Sequence, residues 1–175
     1  MCKNISFIKN IALTAIFLLS SLGALSQNYQ VIDLSDLMHA PGNYSNDISK
    51  NEAEEISALV YDLHPTIFIG NSGIKILGDE APVKAELTAG NFQRLSTSNP
   101  GYNNVKLLKL KVENEADFNA SFDLSKLEGF ENLKYVFVEC TFECSATRIE
   151  NMFSNVGNVK EIGRASCRER VSTSV

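Results

Sequence analysis

Apolar and polar positions change rhythm several times along this chain of 175 residues. Between residues 50 and 63, Ala53, Ile56, Leu59, Val60 and Leu63 recur at three- and four-residue spacing, one stripe of a helix. Ser49 followed by Glu52 predicts a capping box, in which the hydroxyl accepts an orphan backbone N–H and the carboxylate reaches back. Glu54 and Glu55 suit the positive end of the helix dipole. Pro65 stops the helix, because the residue before a proline avoids helical geometry, and His64 is left as a helix-terminal residue. The rhythm then shortens. Residues 66–70 and 73–78 are β-rich runs joined by Asn71-Ser72 with glycines at the joint, which predicts a hairpin. Residues 82–87 alternate apolar and charged positions as a third strand, with Pro82 at its start. Thr88 is placed to cap a short helix over residues 91–95, and Ser98-Asn99-Pro100-Gly101 breaks the chain. Ahead of all this, residues 31–34 predict a short edge strand, and Pro41-Gly42-Asn43 a turn with His39 beside it facing water.

A pattern then returns. Tyr102-Asn103-Asn104-Val105-Lys106, Phe130-Glu131-Asn132-Leu133-Lys134 and Val156-Gly157-Asn158-Val159-Lys160 share a large apolar residue, Asn two places on, then Val or Leu, then Lys. Their starts lie 28 and 26 residues apart. The first two lead into strands at 107–112 and 135–139. A strand at such regular intervals, with a return between, is the signature of stacked repeats.

The spacing within each copy resembles the leucine-rich-repeat family, whose coil opens with L-x-x-L-x-L. Val105, Leu108 and Leu110 match those positions in one copy, and Leu133, Val136 and Val138 in the next. Residues 123–127 with Phe130 resemble the return segment before such a strand. The resemblance implies an α/β fold: a short leucine-rich-repeat-like solenoid of parallel strands, preceded by a helix and a β-hairpin. The family's buried Asn or Cys would fall at Glu113 and Thr141, with Asn114 and Cys140 one place away. Stacked coils leave an outer strand face for binding. Alternation places Lys109, Lys111, Tyr135, Phe137 and Glu139 on it. Tyr135 and Phe137 are too apolar for bare solvent, so they either meet a partner or pack under a further C-terminal part of the chain.

Both ends of the chain read differently from its middle. Lys3 and Lys9 precede an apolar run of about 15 residues, short of the ~20 a spanning helix needs. Ala24-Leu25-Ser26 then supplies small residues at −3 and −1, so residues 1–26 read as a signal peptide cleaved after Ser26. Cys2 precedes the apolar run and is no lipoprotein cysteine. Residues 161–171 resemble the in-frame translation of a sequencing adapter, which makes 161–175 a non-native tail. The expected organisation is a lead-in over 27–48 and one domain over 49–160, truncated at its C-terminus.

Removing the ends changes charge and cysteine content. The whole chain holds 16 basic and 21 acidic residues. Without the five basic and two acidic residues of the ends, 27–160 holds 11 and 19, a net charge of −8. That favours solubility and disfavours nucleic acid and anionic lipid as partners. Cys140 and Cys144 remain, able to close a small disulfide loop if the backbone turns between them, and too far apart on a continuous strand. Metal ligation is disfavoured, since only His39 and His64 could join them and both are distant. Glu113, Glu115 and Asp117 alternate but lack the glycine and terminal Glu of a calcium loop. Glu139 and Glu143 could pair as carboxylates. Asn43-Tyr44-Ser45 and Asn119-Ala120-Ser121 fit the glycosylation acceptor, with no modification expected in a chain whose signal and composition look bacterial. No nucleophile elbow, zinc-protease or phosphate-loop motif is present, and no cofactor is implied.

These features predict an exported, non-enzymatic protein that binds a protein, peptide or glycan on its strand face. The alternatives are part of an exported hydrolase whose catalytic residues lie beyond Lys160, and a structural envelope component.

Overall fold

The computed structural model describes residues 29–34, 48–157 and 159–166. The expected signal sequence, His39, the turn expected at Pro41-Gly42-Asn43, the first sequence fitting the glycosylation acceptor, Asn158 and residues 167–175 lie outside them. In chain order the elements are β1 (Gln30–Asp33), α1 (Lys50–Tyr61), β2 (Thr66–Gly70), β3 (Gly73–Leu77), β4 (Lys84–Thr88), β5 (Leu107–Val112), β6 (Phe122–Asp123), β7 (Tyr135–Cys140), α2 (Ala146–Glu150), β8 (Phe153–Ser154) and β9 (Glu161–Ser166). Short 3-10 turns fill much of what lies between. The fold is mixed α/β, dominated by one open seven-stranded sheet in the order β1-β9-β7-β5-β4-β2-β3. Every pairing is parallel except the β2–β3 hairpin.

The helix forms where its stripe predicts. Ser49 Oγ accepts from the Glu52 amide at 3.3 Å. The Glu52 carboxylate does not complete the capping box; it faces Lys160 Nζ at 3.3 Å instead. Ala53, Ile56 and Leu59 are buried, whereas Leu63 falls past the helix end and is fully exposed. His64 closes the helix by donating from Nε2 to the Ala58 carbonyl at 3.0 Å. In the hairpin, Gly70 pairs with Gly73, whose φ of +121° suits glycine alone. Thr88 stands at the N-cap of the 3-10 turn Ala89–Ser96 but makes no cap bond; its Oγ1 accepts from Asn91 Nδ2 at 2.9 Å.

From β2 onward each new parallel strand is laid beside the one before: β2, β4, β5, β7, β9. Their registers align Thr66, Lys84, Leu107, Tyr135 and Glu161 in one row. One residue earlier a backbone ladder ties the same strands. Lys106 donates to Val83 at 2.8 Å, Lys134 to Lys106 at 3.0 Å and Lys160 to Lys134 at 2.8 Å. The three copies of the repeated pentapeptide also make the same turn. Val105 N donates to Tyr102 O, Leu133 N to Phe130 O and Val159 N to Val156 O, at 3.0, 3.4 and 3.2 Å. Stacking follows from this equivalence: the Tyr102 and Phe130 rings lie 4.4 Å apart, and Asn132 Nδ2 donates to Asn103 O at 2.7 Å.

Alternation along the strands builds two cores. The inner face carries Ile67, Ile69, Ala85, Leu87, Leu108, Leu110, Val136, Val138 and Ile162. The returns close over it with Phe92, Leu95, Val105, Leu133, Ile149 and Met152. In those returns β6 pairs with β8 in parallel, and Phe92, Phe122 and Phe153 form an aromatic row. The outer face carries a smaller core, where α1, Ile32 and Leu34 cover Leu107, Tyr135 and Phe137.

Strand ends are tied without the family's Asn or Cys. Asp117 Oδ2 accepts from the Glu113 and Asn114 amides at 2.9 and 3.1 Å. Thr141 Oγ1 donates to Glu113 O at 3.0 Å. The backbone turns directly after β7, and Cys140 and Cys144 are joined in a buried disulfide with 6.5 Å between their Cα atoms.

The sheet also reaches past the expected domain at both ends. β1 comes from the lead-in and forms one edge, as its pattern predicts. β9 comes from residues assigned to the tail and lies between β1 and β7. Arg164 there occupies the inner row of Leu110 and Val138. Its guanidinium reaches Cys144 O at 2.7 Å and Asp33 at 2.6 Å.

Candidate functional site

The outer sheet face divides into a covered and an open part. α1 lies over the N-terminal ends of β5, β7 and β9, and the lysines of the three repeat copies hold it there. Lys106 and Lys134 approach Glu55 Oε1 at 3.3 and 3.4 Å, and Lys160 approaches Glu52 at 3.3 Å. Tyr135 OH donates to Glu55 Oε2 at 3.0 Å. Partial burial pushes the Glu55 carboxyl up, but the Tyr135 hydroxyl and the two ammonium groups outweigh it and leave its pKa below the usual value.

This arrangement corrects the expected binding face. Tyr135 and Phe137 do point to the outer side, yet they are 2% and 5% exposed. What covers them is α1 and Ile32, from the N-terminal part of the chain, not a partner or a further C-terminal part. The physical reason is mutual: the stripe of Ala53, Ile56 and Leu59 also has to leave water, and the two apolar patches bury each other. The stripe was the available signal, since it demands a partner surface.

Lys109, Lys111 and Glu139 remain on the open part. Lys109 Nζ lies 3.1 Å from Glu139 and 3.9 Å from Glu86. A carboxylate–ammonium–carboxylate row thus spans β4, β5 and β7. Lys111 pairs with Glu113 at 3.3 Å. These side chains keep between 20% and 50% of their surface, so they form a shallow polar ledge.

Beside the ledge a groove of about 430 Å³ opens between the end of α1 and the hairpin. Leu63, Pro65, Phe68 and Leu77 form its apolar walls, and Asp62, His64, Lys84 and Glu86 its polar ones. Burial pushes the Lys84 ammonium below the ordinary lysine pKa, with Lys109 adding to it and Glu86 opposing. Sequence reasoning missed this groove, because it is made by the meeting of a helix end and a strand edge. A second hollow of about 310 Å³ on the return side is lined by Phe92, Gln93, Ser121, Asp123, Lys126 and Leu127.

The other candidates do not converge. Glu113 pairs with Lys111, Glu115 with Arg148, and Asp117 is spent on backbone amides. Arg148 also lies 4.1 Å above the Phe118 ring. Among the described residues no three His, Cys, Asp or Glu side chains are grouped to hold a metal, and no helix is long and apolar enough to cross a membrane. No family model matches the chain, and no curated protein or solved structure is significantly similar to it.

Proposed function

We propose that this chain is an exported, non-enzymatic recognition module that binds a protein, peptide or glycan on the open part of its outer strand face. In this reading β4, β5, β7 and β9 are successive coils of a leucine-rich-repeat-like solenoid. The identical turns at Val105, Leu133 and Val159 support that view. The observation that carries the binding role is the charged row Glu86–Lys109–Glu139 across three in-register strands, left open where α1 stops. Flat strand faces of stacked repeats are used in this way because neighbouring coils present side chains at fixed spacing. The Cys140–Cys144 bond is compatible with an oxidising, exported setting.

The test is to probe peptide and glycan arrays with the full chain. Lys111→Glu and the double variant Lys109→Ala/Lys111→Ala run alongside at matched thermal stability. A ligand signal lost in both variants supports the reading. No signal, a signal that ignores both substitutions, or cleavage of the arrayed molecules would overturn it.

A further inference from the structure

We propose that Lys84 is a nucleophilic amine that captures small, uncharged apolar aldehydes as imines in the groove at the end of α1. The site lies beside the charged ledge and shares only Glu86 with it. Lys84 opens β4 and stands in the outer row between Thr66 and Leu107, both almost fully buried. Its backbone is fixed on both sides, because the preceding residue, Val83, donates to Pro65 O at 3.1 Å and accepts from Lys106 N at 2.8 Å. The side chain therefore starts from a rigid point and lines a hollow of about 430 Å³, the size of a small-molecule site. Gly78 lets Pro65 close one end of that hollow, since a Cβ at Gly78 would come within 2.9 Å of Pro65 Cα.

Among the described residues Lys84 Nζ donates no hydrogen bond and has no carboxylate within ion-pair distance. An ammonium group left this way in a half-buried place is poorly stabilised, and burial accordingly pushes its pKa down. More of the amine is then neutral near pH 7, with its lone pair free to attack. The walls decide the reaction partner. Leu63, Phe68 and Leu77 favour an apolar body. Asp62 and Glu86 line the same groove and repel an anion, while Lys84 and the neighbouring Lys109 oppose a cation. A neutral carbonyl compound meets neither obstacle. The Lys84 lone pair attacks the carbonyl carbon, and the C=O π pair moves to oxygen, which takes up a proton. The carbinolamine then loses water as the C=N bond forms, so amine and aldehyde become imine and water with no change of oxidation state.

The full chain is incubated with hexanal or with acetaldehyde, imines are trapped with cyanoborohydride, and the label on each lysine is quantified by peptide mass spectrometry. Lys111, on the ledge, is the internal reference. Label on Lys84 is expected to exceed that on Lys111 with both aldehydes. The Lys84-to-Lys111 ratio should be about tenfold higher for hexanal, the worth of roughly two buried methylenes. Lys84→Arg loses the excess label while the other lysines react as before. Leu63→Ser/Leu77→Ser brings the hexanal ratio down to that of acetaldehyde with an unchanged circular dichroism spectrum. Leu63→Ser alone, at a fully exposed position, moves it part of the way. Label spread evenly over the lysines overturns the proposal. So does an equal preference for Lys84 with the two aldehydes, which marks a reactive amine without a groove, or a hexanal ratio that ignores both wall variants.

Discussion

The carboxylate of Glu55 faces two ammonium groups and a phenol, and its titration has a definite sign. Its pKa is lowered from an ordinary value of 4.5 in the folded chain. The stabilisation it supplies is therefore complete above about pH 4.5 and is lost as pH falls through the depressed folded value. Glu55→Gln keeps the size and one acceptor but removes the charge. The expected cost near neutral pH is about 1 kcal/mol, held down by the partial exposure of the ion pairs. Thermal melts of the two proteins should differ near pH 7 and converge as the pH falls below about 4.5; a constant gap would mean that the charge contributes nothing. Tyr102 makes the opposite case. It is fully buried, and its hydroxyl has no hydrogen-bond partner among the described residues. Burying such a group without a partner is costly. Tyr102→Phe keeps the stacking on Phe130 and should raise the melting temperature by a few degrees, about 1 kcal/mol. A drop on calorimetry would show that the hydroxyl is bonded after all.

At the scale of elements, the inner rows hold the strands together. Leu110 is completely buried between Leu87 and Val138. Leu110→Ala should cost about 2–5 kcal/mol, while Lys111→Ala next to it stays within about 0.5 kcal/mol by chemical denaturation. Reducing the five-residue loop closed by Cys140 and Cys144 should cost about 2 kcal/mol by the chain-entropy argument. These elements were largely legible beforehand. α1 announced itself through its stripe and Ser49, the hairpin through its glycines, and β5 and β7 through the repeated pentapeptide. That pentapeptide turned out to be three copies of one turn, with its lysines aligned to receive α1. What the residues did not disclose is equally specific. β9 has Arg164 in the inner row that Val138 of β7 and Leu110 of β5 fill, so no apolar alternation marks it; backbone pairing on both sides and two partners for the guanidinium, Asp33 of β1 among them, hold it in place. Periodicity says which way Tyr135 and Phe137 point. It is silent about what covers them, because that depends on a helix some 80 residues earlier. The groove was hidden for the same reason.

For the whole molecule, the two faces of the sheet predict two levels of stability. The inner core runs through every parallel strand and all the returns. The outer core is small and rests on Ala53, Ile56 and Leu59 from a single helix, with Glu52 and Glu55 reaching the lysine row. Opening α1 breaks only the outer set, so it should require less free energy than global unfolding. Amide hydrogen exchange tests this directly. Residues of α1 should exchange through a sub-global opening, while β5 and β7, central and paired on both sides, exchange only on complete unfolding. Glu55→Gln should speed exchange in α1 at neutral pH and leave β5 and β7 nearly unchanged after correction for global stability. Acid well below pH 4.5 should push the wild type the same way, since only there is Glu55 protonated and its charge removed. Equal protection of α1 and the central strands would instead make helix and sheet a single cooperative unit, and the repeat lysines would then be structural members of one core.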